Sequence, residues 1–374
     1  MNNQHNSTLS PQHSVLVPQS SSLSPQYYLI TGGCGFIGVN LVERILKENP
    51  EAKIRILDNL SVGTREDLSE VCNFVEIDPT HSSSLSPQSS QVELVVGDIR
   101  DFDTCLRCCE GIDVVVHLAA NTGVAPSVEN PRNDMETNVI GTFNMLEASR
   151  QQSVKRFVFA SSGAPIGEVE PPIHENKAPI PVSPYGASKL AGEGYCSAYY
   201  RTFGLKTVAL RFGNVYGPRS KHKSSVVAKF FKRALNGEPL EIYGDGNQTR
   251  DFIYIDDLIQ AIMLAINPKP AISDTQSSPL SLQSSVLTPS PWGEVFQIAT
   301  YRETTVNEIA EKVKEIVKRE TGRKVQNIHT DPRLGDVRRN YSDITKAKIM
   351  LGFEPKYDID SGLSNTFKYF KTTL

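Results

Sequence analysis

Tyr185 and Lys189 stand four residues apart at the start of a helix-patterned stretch that follows Pro184. Residues at that separation share a helix face, so a phenol and an ammonium can be aimed into one site. A free tyrosine keeps its proton to about pH 10. A neighbouring cation favours the phenolate, which then serves as a base toward a hydroxyl group. Ser162, just past the apolar run Arg156–Ala160, is placed to hydrogen-bond the same hydroxyl. Alone, the Tyr-x-x-x-Lys spacing reads more readily as an aromatic helix start and a solvated lysine. A second pattern changes the balance. Thr31–Gly38 reads Thr-Gly-Gly-Cys-Gly-Phe-Ile-Gly, between the strand-like Tyr27–Ile30 and the helically spaced Val39–Leu46. Gly32 allows a tight turn, Gly35 lets a pyrophosphate approach the main chain, and Gly38 lets helix and strand pack closely. The free N–H groups at the helix start then face phosphate. The strand-like Lys53–Leu57 ends in Asp58, about 20 residues beyond the last glycine, where a carboxylate would hold the adenine-ribose hydroxyls. An acid there repels a 2′-phosphate and favours NAD over NADP, although such an acid also caps loops. With a nicotinamide cation in place, Lys189 would help to lower the Tyr185 pKa and would hold the nicotinamide ribose.

The elements that must position these groups alternate along the chain. Val92–Val96 reads as a strand ending at Gly97-Asp98-Ile99, where Asp98 and Ile99 would meet the adenine. Val114–Ala120 is apolar throughout, as at the centre of a parallel sheet, and its small terminal residues would let a cofactor lie against backbone. His117 falls inside that strand and reads as a packed histidine rather than a base. A long helix over Pro131–Gln151 carries Asn138. Then come the strand Arg156–Ala160, a proline-rich loop, the helix Tyr185–Phe203 and the strand Thr207–Phe212. Repeated units of this kind predict an α/β fold with a doubly wound parallel sheet. Ligands of such sheets bind beyond the strand carboxyl ends, where the glycine turn, Asp58, Asp98, Ala119 and Ser162 all fall.

Bulk properties exclude several classes. The 374 residues allow one large or two modest domains, and a net charge of −3 without long basic stretches speaks against nucleic acid or an acidic membrane surface. The 6 cysteines are irregularly spaced and read as reduced thiols rather than a metal site. No apolar run is long enough to span a bilayer, and the first residues lack a secretory pattern, so a cytoplasmic enzyme is expected. Residues 1–26 are Ser, Gln, Asn and Pro rich and are expected to be disordered. The phrase Leu-Ser-Pro-Gln occurs at residues 9, 23 and 85, and a relative of it at residue 280. The irregular separations read as inert polar insertions into the tail and into loops at 79–91 and 273–291.

With these motifs in hand, the chain resembles the extended short-chain dehydrogenases/reductases, specifically the NAD-dependent sugar epimerase/dehydratase group. The resemblance rests on Thr31–Gly38, Asp58-Asn59, Gly97–Asp101, His117–Ala120, Ser161-Ser162, Tyr185–Lys189 and Arg211-Phe-Gly-Asn-Val-Tyr-Gly-Pro-Arg219. It spans nearly everything from Tyr27 onward apart from the repeat-bearing loops, and it looks most like UDP-hexose 4-epimerases. It implies a Rossmann-like NAD domain over 27–212 and mainly a nucleotide-sugar lobe over 213–374. It implies cofactor contacts from Gly32, Gly35, Phe36, Ile37, Gly38, Asp58, Asn59, Asp98, Ile99, Leu118, Ala119, Ala120, Asn138, Tyr185, Lys189 and Phe212. Catalysis falls to Tyr185, Lys189 and Ser162: the tyrosine takes the 4-hydroxyl proton and NAD takes hydride from carbon 4. The keto sugar turns over, and the hydride returns to its other face. Substrate contacts would come from Ser162, Tyr185, Asn214, Tyr243, Arg250, Arg333, Asp336 and Asn340. Asn340 stands where a bulky aromatic would exclude an N-acetyl group, so UDP-N-acetylglucosamine should be accepted beside UDP-glucose.

Two departures bear on the reaction. Family dehydratases carry an Asp-Glu pair, and decarboxylases a glutamate, where this chain has Gly163-Ala164, which counts against elimination. The tyrosine common before the glycine of Gly163–Gly167 in epimerases is missing, which leaves a UDP-uronic acid or a dTDP-sugar open. A non-catalytic NAD-binding module would be expected to have lost Tyr185 or Lys189. The resemblance also implies a homodimer through the helices Pro131–Gln151 and Tyr185–Phe203.

Overall fold

The computed structural model describes residues 26–78, 90–268, 290–332 and 337–373. Most of the tail and of both repeat-bearing loops, together with Arg333 and Asp336, lies outside the described residues. In chain order the strands are β1 (Tyr27–Thr31), β2 (Lys53–Asp58), β3 (Val75–Glu76), β4 (Val92–Val96), β5 (Val114–His117), β6 (Arg156–Ser162), β7 (Lys206–Phe212), β8 (Asn214–Tyr216), β9 (Leu240–Tyr243), β10 (Thr249–Arg250), β11 (Phe252–Tyr254), β12 (Glu294–Ile298), β13 (Thr304–Thr305) and β14 (Asn327–Thr330).

Eight strands form one sheet in the order β12-β7-β6-β5-β1-β2-β4-β3, with every pairing parallel. Valine, isoleucine and leucine dominate its central strands because both faces are covered, and Leu29, Ile30, Val115, Val116 and Phe157 have no exposed surface to speak of. Two apolar cores result, one on each face: the first packs the helices Phe36–Glu48 and Ile255–Ile266, the second the helices Phe102–Cys108, Gly141–Gln151 and Pro184–Phe203. Successive crossovers reverse direction between β1 and β5, which opens a crevice at their carboxyl ends. The remaining strands form three two-stranded pairs, β10-β13, β11-β8 and β14-β9, beyond that end of the sheet. The strand β12 returns from this later part of the chain to pair with β7.

Two elements differ from expectation. The strand over Val114–Ala120 stops at His117: the Leu118 N–H still reaches Thr31 O at 3.1 Å, but the Ala119 N–H turns to the Thr31 hydroxyl at 3.1 Å and leaves the ladder. The helix over Pro131–Gln151 is not one α-helix. Its α-helical start Pro131–Met135 passes through a π-helical turn, Glu136–Ile140, before α geometry resumes at Gly141. Asn138 sits within that turn, where its amide is committed to Asp134 one turn earlier and to Asn121 and Ser188 of other elements.

Candidate active site

The glycine turn joins β1 to the helix Phe36–Glu48. Gly32 has φ +69°, and a side chain on it would place Cβ 2.9 Å from Ala119 N. A Cβ on Gly38 would meet Gly32 O at 2.5 Å, so only hydrogen there lets the helix start close on the turn. No side chain caps this helix at Gly35, which leaves its first N–H groups facing the crevice. Asp58 ends β2 with its carboxylate accepting the Cys34 N–H at 2.9 Å and the Leu60 N–H at 2.8 Å. Burial raises its pKa against these two bonds. A carboxylate has roughly four acceptor positions, so two are left for hydroxyl donors. Asn59 reaches Asp98 at 3.2 Å, and Arg100, paired to Asp98 at 2.7 Å, holds that carboxyl down to about 2.

Two cavities, of about 570 and about 600 Å³, open at this end of the sheet. The first is lined by Gly32, Gly35, Phe36, Ile37, Gly38, Asp58, Asn59, Asp98, Ile99, Leu118, Ala119 and Ala120. The second is lined by Ser162, Tyr185, Lys189, Phe212, Asn214, Tyr243 and Arg250, and it shares Ile37, Val62, Leu118, Ala120, Thr122, His222 and Lys223 with the first. Asn138 lines neither. It lies behind Asn121, whose N–H it accepts at 2.8 Å and whose carbonyl it meets at 2.9 Å. Asn340 adjoins Gly163: a Cβ there would lie 3.9 Å from its Nδ2. The long groove, the uncapped helix start and the buried carboxylate with spare acceptor capacity fit a dinucleotide with a free ribose diol.

Tyr185 and Lys189 project from the first turns of the helix Pro184–Phe203. Ser183 caps that helix by accepting the Gly186 N–H at 3.1 Å, and Pro184 occupies its first turn. The phenol hydrogen-bonds Ser162. The expected depression of the Tyr185 pKa is not built into the protein: burial pushes it up to about 12, Ser162 opposes this, and the charge of Asp134 adds to the rise. The physical reason is burial of the phenol; the Lys189 ammonium donates to Ala160 O at 3.0 Å and lies 5.0 Å from the centroid of the Phe159 ring and 5.9 Å from that of Tyr185. Burial lowers Lys189 itself to about 8, against the pull of Asp134 and Glu193.

Beneath these groups is a layer that the sequence reading missed. Asp134 and Ser188 share the Asn138 amide at 2.8 and 3.3 Å, and Glu193 clamps Arg211 at 2.8 and 2.7 Å while accepting the Ser161 hydroxyl at 2.5 Å. His117 is 1% exposed, bonded to Thr31 at 2.7 Å and Thr142 at 3.1 Å. Burial drives its pKa down to about 3, so it is a packed neutral imidazole.

A parallel doubly wound sheet with a dinucleotide groove at its switch point and a Tyr-Lys pair beside it defines an enzyme of the Rossmann class. A family model described as the NAD dependent epimerase/dehydratase family matches residues 28–274, and the chain belongs to that family. A UDP-glucose 4-epimerase of Mycolicibacterium smegmatis is 33% identical over 348 residues, 92% of this chain and 98% of that one. The structure of a UDP-glucose 4-epimerase of Thermotoga maritima, solved with UDP-glucose, is 35% identical with a TM-score of 0.77, covering 93% of this chain and 99% of that one. A UDP-glucuronic acid 4-epimerase of Bacillus cereus, solved with UDP-glucuronic acid and NAD, is 27% identical with a TM-score of 0.77 over 93% of this chain and 100% of that one. No helix among the described residues is long and apolar enough to cross a membrane.

Proposed function

We propose that the protein interconverts UDP-hexoses at carbon 4, with UDP-glucose and UDP-galactose as one pair and the N-acetylhexosamines as a second. The observation that carries this reading is the meeting of Ser162, Tyr185 and Lys189 in a cavity that opens into the dinucleotide groove. Asp58 would hold the ribose hydroxyls, and the N–H groups that follow Gly35 would receive the pyrophosphate. When bound, NAD supplies the oxidant that takes hydride from carbon 4 and returns it to the opposite face. The chain supplies the proton traffic. Tyr185 accepts the proton of the 4-hydroxyl, which Ser162 orients, and gives it back after the keto sugar has turned. Because the protein raises the phenol to about 12, its ionisation depends on the added positive charge of the oxidised cofactor. Lys189, fixed by Ala160 O, keeps a second positive charge close to the phenol.

Asn214, Tyr243 and Arg250 would receive the UDP portion from the second cavity, and Arg250 is already oriented by Thr249 O at 2.6 Å and Val337 O at 2.7 Å. Asn340, compact and adjacent to Gly163, leaves room for a 2-acetamido group. Incubation with UDP-galactose, UDP-N-acetylgalactosamine and UDP-glucuronic acid, followed by product separation, tests the assignment. Conversion of the first two supports it; conversion of the uronic acid alone replaces it. A homodimer is the proposed assembly, supported by the exposed Met135, Ile140, Phe143, Tyr195 and Phe203 on the two helices expected to pair. Light scattering showing a monomer at micromolar concentration would overturn it.

A further inference from the structure

The segment between β8 and the helix Val226–Asn236 carries basic residues at 219, 221, 222 and 223. Three of them turn to acids across the groove. Arg219 bonds Glu43 at 2.8 and 3.0 Å, Lys221 reaches Asp67 at 2.6 Å and Glu70 at 2.9 Å, and His222 Nε2 lies 3.0 Å from Asp67. Lys223 differs. Like His222 it lines both cavities where they join, but its Nζ lies over an aromatic ring instead of an acid, 6.0 Å from the centroid of Phe36. Phe36 is the first residue of the helix that follows the glycine turn. Among the described residues Nζ has neither a hydrogen-bond acceptor nor a carboxylate in ion-pair range. Its backbone is nonetheless anchored: the N–H donates to Ser220 O at 2.9 Å, and the carbonyl accepts from Lys232 Nζ at 3.2 Å. A partly buried ammonium without a counter-charge is costly, and burial lowers its pKa accordingly. An anion at the junction would remove that cost, and the uncapped helix start beside it favours phosphate oxygens.

We propose that Lys223 is a diphosphate-binding residue at the junction of the two cavities, left without a protein counter-charge among the described residues while Arg219, Lys221 and His222 beside it are paired to Glu43, Asp67 and Glu70. The diphosphate is either the pyrophosphate of the dinucleotide or the diphosphate of the nucleotide sugar, and the inference rests on the function proposed above because both ligands belong to it. The test compares wild-type holoenzyme with Lys223→Ala, Lys223→Met and Lys223→Arg. Lys223→Met keeps an apolar stem over Phe36, so a charge-free variant remains should the alanine chain fail to fold. One arm follows the loss of bound NAD on dilution, and the other measures the Kd for UDP by calorimetry. Removing the charge is expected to speed NAD loss or weaken UDP about tenfold or more, with Lys223→Arg within about threefold of wild type. Whichever arm moves identifies which diphosphate is held. Both arms within twofold in the charge-free variants overturn the proposal. A wild-type protein that neither keeps NAD nor binds UDP overturns the broader reading instead, so the two failures are distinct.

Discussion

The charges beneath the Tyr185 side of the crevice and those over the glycine turn are organised in opposite ways. Beneath Tyr185, Arg211 and Glu193 are only 5% and 4% exposed, and Ser161, Asn138, Ser188 and His117 are buried with them and hydrogen-bonded. Over the glycine turn, Arg219, Lys221 and His222 keep 19%, 25% and 41% of their side-chain surface open while meeting Glu43, Glu70 and the buried Asp67. A buried network tolerates one geometry, because a displaced partner leaves an unpaired charge in low dielectric. Solvated pairs break and re-form at little cost. The half proposed to aim a phenol at a carbon is therefore rigid, and the half proposed to admit a dinucleotide is closed by contacts that can open.

Four experiments press on this contrast. The largest effect is expected from Tyr185→Phe, which should lower kcat about 10³-fold while leaving bound NAD nearly unchanged; product assays and the absorbance of the isolated protein check both halves. Next, Glu193→Gln strands Arg211 in the core and should cost about 3–5 kcal/mol of stability by urea denaturation. A loss below 1 kcal/mol would dissolve the distinction between the two regions. Third, acid should weaken the buried half through His117. The unfolded histidine takes a proton near pH 6.5 while the folded one resists to about 3, so the unfolded chain binds more protons in that window and stability falls as the pH drops. Between pH 6.5 and 5 this amounts to roughly 2 kcal/mol at about 1.4 per unit, and His117→Gln should remove that part of the slope. The smallest effect belongs to Lys221→Ala, expected to cost under about 1 kcal/mol in stability yet to speed NAD loss several-fold at low salt, a difference that fades at high salt.

What could be seen in the sequence was whatever is written locally. The glycine turn, Asp58 and the Tyr185-to-Lys189 spacing are each written within a few consecutive residues, the first two at the ends of the short strands β1 and β2 and the third at the start of a helix. The parallel sheet followed from the alternation of strand and helix. The partners of Glu193, Asp134 and Lys221 lie between 4 and 154 residues away, and most are brought close only by the crossovers, so no spacing rule announces them. Asn138 was noticed, but its amide bonds Asn121 and Ser188, which belong to other elements. The phenol's raised pKa was hidden for a related reason: it follows from burial and from the charge of Asp134 on another helix, and neither is a property of five residues in a row.

The strand β12 has a consequence for how the protein is made. It is the outermost partner of β7, yet about 80 residues of chain separate the two. A nascent polypeptide halted after Phe212 carries every side chain of the proposed proton-transfer site and still lacks the strand that covers the edge of its sheet. Synthesis must run on past Ile298 before that edge is sealed, which leaves an open ladder for a chaperone to guard in the interval.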